Sequence, residues 1–239
     1  MPDLKIFADN PKVAFEFAKC FRDHVNNIDQ DKITVCLSGG STPKLLFEEL
    51  AKNHSDAIDW SRIHFFWGDE RCVAPEDEQS NYGQCKKLLL DNIDIPITNV
   101  HQVVGENDPA LEADRYGETI KDHTSVGKSG LPVFDLVILG MGGDGHTASI
   151  FPHQMELLTS KKICEVAVHP ESGQKRVTIT GPVINAAKFV VFLITGAGKA
   201  DVLASVYDGS GEQYPATHIQ PKPGELAFFL DESAAAKIK

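Results

Sequence analysis

The feature that most constrains this chain is its alternation of short apolar runs with stretches of helical period. Ile33–Leu37, Ile63–Trp67, Val133–Leu139 and Phe189–Thr195 are apolar almost throughout and rich in β-branched and aromatic residues. Runs this short match strands covered on both faces. Leu4–Ala8, Val100–Val104, Ile163–Val168, Val177–Thr180 and Leu226–Leu230 read as further strands. A helix is predicted from about Asn10 to Val25, with Val13, Phe17, Cys20, Phe21 and His24 at helical spacing. Others follow Pro43 (with Thr42 as N-cap), at Ser80–Asp91, at Ala110–His123, and at Glu232–Lys237 begun by Asp231; Thr124–Leu131 reads as a loop. Repeated strand–helix alternation predicts an α/β fold: a mostly parallel Rossmann-like sheet with helices on both faces, in one domain over residues 1–239.

Composition narrows the function. An apolar content of 42% is enough for a packed core and excludes disorder. With 34 acidic and 23 basic residues the net charge is −11, which argues against nucleic acid or an anionic membrane as a partner. A bound anion would therefore need a local positive site. The cysteines (Cys20, Cys36, Cys72, Cys85 and Cys164) form no C-x-x-C pair, which removes zinc ribbons and redox dithiols and predicts reduced thiols in a cytoplasmic protein. The segment Met1–Lys5 lacks the apolar stretch of a signal peptide, and the run Phe189–Ile194 is too short to span a bilayer.

In an open parallel sheet, ligands gather where strands end and loops lead into helices. After Ile33–Leu37 comes Ser38-Gly39-Gly40-Ser41-Thr42-Pro43. Glycines that let backbone approach a ligand, hydroxyl donors and a helix N-terminus together make a phosphate cradle, although a capped tight turn would look the same. The Walker spacing is absent. After Ile63–Trp67 comes Gly68-Asp69-Glu70-Arg71, where Arg71 suits a fork to phosphate or carboxylate and Asp69 and Glu70 suit orienting it or contacting hydroxyls; a surface ion pair is the plain alternative.

After Val133–Leu139 comes Gly140-Met141-Gly142-Gly143-Asp144-Gly145-His146, then Thr147-Ala148-Ser149-Ile150-Phe151-Pro152. This satisfies G-x-G-x-x-G formally, but Pro152 follows too soon for the full helix that a dinucleotide site needs. An imidazole among exposed loop amides suits general-base work beside an oxyanion site instead. His24, His54, His64, His101, His123, His153, His169 and His218 lack such a context. Arg176 precedes a strand and Lys199 follows Gly196-Ala197-Gly198 at a strand end, where it is either a phosphate contact or a solvated helix-start lysine.

SGGSTP, GDERCVAPEDEQSN, GMGGDGHTASIFP, KRVTITGPVINAAKFVVFLITGAGKA and GELAFFLDESAA resemble, in order and spacing, the 6-phosphogluconolactonase family, from about Phe7 to Ala236. DGHTASIFP is the most specific block. Related glucosamine-6-phosphate deaminases carry an acidic residue within the continuation where this chain has Ser149-Ile150-Phe151-Pro152. Many family members also have a Lys-Pro-Pro-type stretch before the arginine, where this chain reads His169-Pro170-Glu171-Ser172-Gly173-Gln174-Lys175-Arg176.

The resemblance implies hydrolysis of 6-phosphoglucono-δ-lactone to 6-phosphogluconate without cofactor or metal, by a monomer or weak homo-oligomer. It implies His146 as general base, Asp144 as its neighbour and Arg71 as a substrate contact. Ser38, Gly39, Gly40, Ser41 and Thr42, with Asp69, Gly142 and Gly143, would line the sugar-phosphate site, and Arg176 and Lys199 would contact phosphate. The alternatives are a glucosamine-6-phosphate deaminase/isomerase, a nicotinamide dehydrogenase, and a non-catalytic sugar-phosphate sensor. Such a regulator needs a DNA-reading module, and a first strand at Leu4 leaves no helix-turn-helix before it.

Overall fold

A computed structural model describes residues 2–222 and 224–238. In chain order the elements are β1 (Asp3–Phe7), α1 (Asn10–Asn27), β2 (Ile33–Leu37), α2 (Ser41–Asn53), β3 (Ile63–Trp67), β4 (Asp69–Arg71), α3 (Asn81–Leu88), α4 (Pro109–His123), β5 (Ser125–Val126), β6 (Pro132–Val133) and β7 (Leu136–Leu139). They continue with β8 (Cys164–Val168), β9 (Lys175–Ile179), α5 (Gly181–Ala186), β10 (Phe189–Ile194), α6 (Ala200–Tyr207), β11 (Glu225–Asp231) and α7 (Glu232–Ala235).

Six strands form the main sheet in the order β1-β11-β10-β7-β2-β3, with every pairing parallel. The expected parallel α/β sheet is therefore present. From β2 the chain steps outward to β3, then returns to lay β7 on the other side of β2 and build outward through β10 and β11. The sheet thus reverses direction between β2 and β7, and a crevice at the carboxyl ends of those two strands follows from that order.

The apolar side chains split into one cluster per face. Val13, Phe17 and Phe21 of α1 and Leu46, Phe47 and Leu50 of α2 pack on Val35, Phe65, Ile138, Val191 and Phe229. Tyr116 and Ile120 of α4, Val183 of α5 and Leu203 of α6 pack on Cys36, Phe66, Val137, Phe192 and Phe228. α1 starts where predicted because Asp9 accepts the Lys12 N–H at 2.8 Å and Pro11 sits in the first turn. Its Phe17 meets Phe229 edge-on, 5.0 Å between centroids, and truncating such a buried ring costs about 3–5 kcal/mol.

Several expectations need correction. Val100–Val104 is not a strand: Val100 makes one isolated bridge to Phe65, and the buried Glu112 carboxylate takes the Val104 N–H at 2.7 Å. The runs at Ile163–Val168 and Val177–Thr180 leave the main sheet and form, with Asp69–Arg71, an antiparallel sheet of order β4-β9-β8. The link from Val168 to Lys175 is far too short for a parallel crossover. Val133–Leu139 is interrupted at Asp135, whose carboxylate accepts both the N–H and the hydroxyl of Thr34 at 2.8 Å. The loop at Thr124–Leu131 contains β5, paired with β6 across a turn closed by the Gly127 N–H on Leu131 C=O. Helix α3 ends at Leu88 and α7 at Ala235, short of the lengths expected. Among the described residues no helix is long and apolar enough to cross a membrane.

Candidate active site

Four neighbouring strands, β10, β7, β2 and β3, deliver their loops to one cleft of about 280 Å³. From β2 come Ser38, Gly39, Gly40, Ser41 and Thr42, from β7 Gly142 and His146, from β3 and β4 Asp69 and Arg71, from β9 Arg176, and from the end of β10 Lys199. A larger hollow of about 660 Å³ lies at the opposite end of the sheet, by Asp3, Phe189 and Glu225, where those strands begin. The chemistry-bearing side chains converge on the smaller one.

The β2 loop starts α2 earlier than expected. Gly40 is the N-cap at φ +119°, in a region that favours glycine, and no side chain caps the helix. Thr42 therefore lies inside the first turn, and its hydroxyl pairs with Thr195 at 3.0 Å across to β10. Lys44 N–H bonds Gly40 C=O and Pro43 has no N–H, so the amides of Ser41 and Thr42 have no partner within the helix. This terminus therefore presents free backbone amides and the positive end of the helix dipole to the cleft.

The β7 loop folds back on itself instead of opening a helix: Gly142 N–H bonds His146 C=O at 2.9 Å, and Gly145 N–H bonds Gly142 C=O at 3.1 Å. The Asp144 carboxylate lies 2.6 Å from His146 Nδ1 and also accepts the His146 amide at 3.2 Å. A Cβ on Gly142 would lie 2.1 Å from His146 Nδ1 and 2.4 Å from Asp144 Oδ1, so only glycine fits beside the pair. Partial burial disfavours the Asp144 charge, but the hydrogen bond and charge of His146 outweigh it and hold the carboxyl at about 2. Asp144 is ionised in neutral solution, so Nδ1–H is the donor and a neutral ring carries its lone pair on Nε2. Asp144 and Gly143 do not line the cleft: Asp144 stands beside the ring, and a Cβ on Gly143 would lie 3.8 Å from Lys199 Nζ.

Strand alternation sorts the residues after Gly68. Asp69 and Arg71 face the cleft, while Glu70 points to α3. The expectation that Glu70 orients Arg71 is corrected: its buried carboxylate accepts the amides of Asn81 at 2.8 Å and Tyr82 at 2.7 Å, the Arg71 amide at 2.8 Å, and the Ser80 hydroxyl at 3.1 Å. Burial pushes its carboxyl up despite these donors.

Arg71 and Arg176 are opposite one another in the β4–β9 ladder. Each has a buried Nε without an acceptor among the described residues. Arg71 Nη1 donates to Gln79 C=O at 2.5 Å. Arg176 lies 3.9 Å from Asp69 and 5.6 Å from the centroid of Phe151, whose ring also packs on His146. Burial lowers Arg176, partly offset by Asp69, and lowers Lys199, partly offset by Asp144.

The site also contains residues that the sequence reading left out. Ser149 donates to Asp69 at 2.7 Å and receives Arg176 Nη1 at 3.4 Å, linking the β7 loop to β4 and β9. Thr195 lines the cleft, and its place at the end of the apolar run from Phe189 is the signal that marks it. Asn81 lines it too and donates to Asp69 C=O at 2.9 Å. Asn81 closes the GDERCVAPEDEQSN block, but its hydrogen-bond partner twelve residues earlier could not be read from that block.

A family model described as glucosamine-6-phosphate isomerases/6-phosphogluconolactonase matches residues 8–228. A 6-phosphogluconolactonase of Haemophilus influenzae is 46% identical over 205 residues, 84% of this chain and 86% of that one. The 6-phosphogluconolactonase from Trypanosoma brucei superposes with a TM-score of 0.90 at 28% identity, covering 100% of this chain and 99% of its own. A monomeric glucosamine-6-phosphate deaminase, 18% identical, shares the fold with a TM-score of 0.82 over 98% and 99% of the two chains. By the extent of the sequence matches, this chain belongs to the family of glucosamine-6-phosphate isomerases and 6-phosphogluconolactonases.

Proposed function

We propose that the chain is a 6-phosphogluconolactonase, hydrolysing 6-phosphoglucono-δ-lactone to 6-phosphogluconate in the cleft between β2 and β7. One observation carries the reading: an imidazole backed by an ionised carboxylate faces an uncapped helix N-terminus across a cleft that also holds three cations. The overall charge of −11 gives an anionic substrate no attraction of its own, so these local groups must supply it.

In this reading the phosphate lies at the start of α2, against the Ser41 and Thr42 amides and the hydroxyls of the Ser38–Thr42 loop. Lys199 and Arg176 supply positive charge. The Thr42–Thr195 bond brings the end of β10, and with it Lys199, up to the same turn. At the other end of the sugar, His146 Nε2 takes a proton from water as its oxygen attacks the lactone carbonyl. The tetrahedral oxyanion is stabilised by loop amides and Arg71. The C1–ring-oxygen bond then breaks, and His146 returns the proton to the departing oxygen. Asp144 holds the ring in the required tautomer and stabilises its charged form.

The test compares phosphorylated and unphosphorylated gluconolactone with wild type, Lys199→Met and Arg176→Lys. The expected result is a KM for the phosphorylated lactone raised about tenfold or more, consistent with loss of one charge-assisted contact, and no comparable change for the sugar lactone. Equal wild-type activity on both lactones would contradict the phosphate assignment. Release of ammonia from glucosamine 6-phosphate would favour the deaminase reading instead.

A further inference from the structure

Three histidines far apart in sequence meet on the edge strand β3, outside the cleft. His64 shares a face of β3 with Phe66, the face covered by α4. His101 follows the isolated bridge, its amide bonded to Phe65 C=O at 2.9 Å, and its ring stacks 4.5 Å from Phe66. His123 ends α4 and packs 4.2 Å from His101. The His64 Nδ1 and His101 Nε2 atoms are 3.0 Å apart, and one nitrogen from each of the three rings lies within 4.8 Å of the others. His101 is buried and the other two are half-buried, so solvent reaches the cluster.

The His64 and His101 nitrogens share a hydrogen bond, and the third ring brings its nitrogen to the same place. Zinc–imidazole bonds of about 2.0–2.1 Å in a tetrahedron set neighbouring nitrogens about 3.3 Å apart, close to the spacing of the first pair. Burial holds His64 at about 4 and His101 at about 3, so both are neutral near pH 7. A neutral imidazole has one lone-pair nitrogen, so the ring that carries the proton between His64 and His101 must move it to its other nitrogen for both to face a metal. The charged group in contact with the cluster is Lys32, whose ammonium lies 3.3 Å from His123 Nδ1. No carboxylate pairs with these rings among the described residues.

We propose that His64, His101 and His123 bind one late first-row divalent transition metal of the zinc class, with water completing the shell. Lys32, hydrogen-bonded to His123 Nδ1, would oppose the ion by its charge. Imidazole donors without thiolate or carboxylate suit zinc, copper, nickel and cobalt rather than magnesium or calcium. The bound ion would tie β3, the segment at residue 101 and the C-terminus of α4 together, and so raise stability. It stands apart from the reaction proposed above.

The test titrates metal-free protein with Zn²⁺ by calorimetry and with Co²⁺ by visible absorption, following Tm alongside. Wild type is expected to bind one equivalent with a four-coordinate cobalt spectrum and a raised Tm. His64→Gln and His123→Asn should each weaken binding at least 100-fold and abolish the Tm rise, while lactonase activity of His123→Asn stays at the wild-type level. Lys32→Met should tighten binding, and His146→Gln should retain it. Binding unaffected by His64→Gln and His123→Asn, binding lost only in His146→Gln, or no binding below millimolar metal would each overturn the proposal.

Discussion

The Asp144 carboxylate and His146 Nδ1 are 2.6 Å apart, two residues along one turn, so the orienting group and the ring it orients move as a unit. Asp144→Asn keeps the size but removes the charge and allows the wrong ring tautomer. The expected outcome is a kcat lowered by about 10²-fold or more with KM little changed, in line with the worth of a positioned base. Steady-state kinetics read both parameters, and an unaltered kcat would remove Asp144 from the mechanism.

The same pair predicts a pH dependence of stability. The folded value of about 2 lies below the ordinary 3.8. The stability that ionised Asp144 contributes is therefore complete above about pH 4 and is lost as pH falls toward 2. Denaturation across that window should show wild type losing stability more steeply than Asp144→Asn. Parallel curves would mean that the carboxylate gains nothing from His146 in the folded state.

Glu70 is expected to govern stability rather than chemistry. Glu70→Ala strands the buried Asn81 and Tyr82 amides and the Ser80 hydroxyl, together with the Arg71 amide. At about 1–3 kcal/mol for each unsatisfied buried group, partly relieved by water, a loss of about 3 kcal/mol or more is expected. Chemical denaturation measures it. A change below about 0.5 kcal/mol would show that the carboxylate is dispensable.

Much of this architecture was legible in the chain because buried parallel strands announce themselves. All five residues of β2 are buried and apolar but for Thr34, and the loops that matter follow such strands directly. The strand order was not legible, and so neither was the reason that the β2 and β7 loops face each other. Side-chain competition for the backbone was equally hidden: Glu112 ends the pairing after Val100, and Asp135 breaks the run into β7. Glu70 looked like a cleft residue because its neighbours are. The alternation of β4 turns it the other way, and β4 becomes a strand only through β9, more than a hundred residues later. The histidines at 64, 101 and 123 gave no local sign of meeting, since only the packing of α4 on β3 unites them.

The proposed reaction turns on His146 as the base for lactone hydrolysis. Its most direct test follows acid release from freshly generated 6-phosphogluconolactone, corrected for spontaneous opening, with wild type and His146→Ala. Wild type is expected to accelerate the reaction strongly and His146→Ala to show a kcat down by about 10²–10⁴-fold, with substrate still bound at a similar KM. A variant turning over at the wild-type rate would contradict that role.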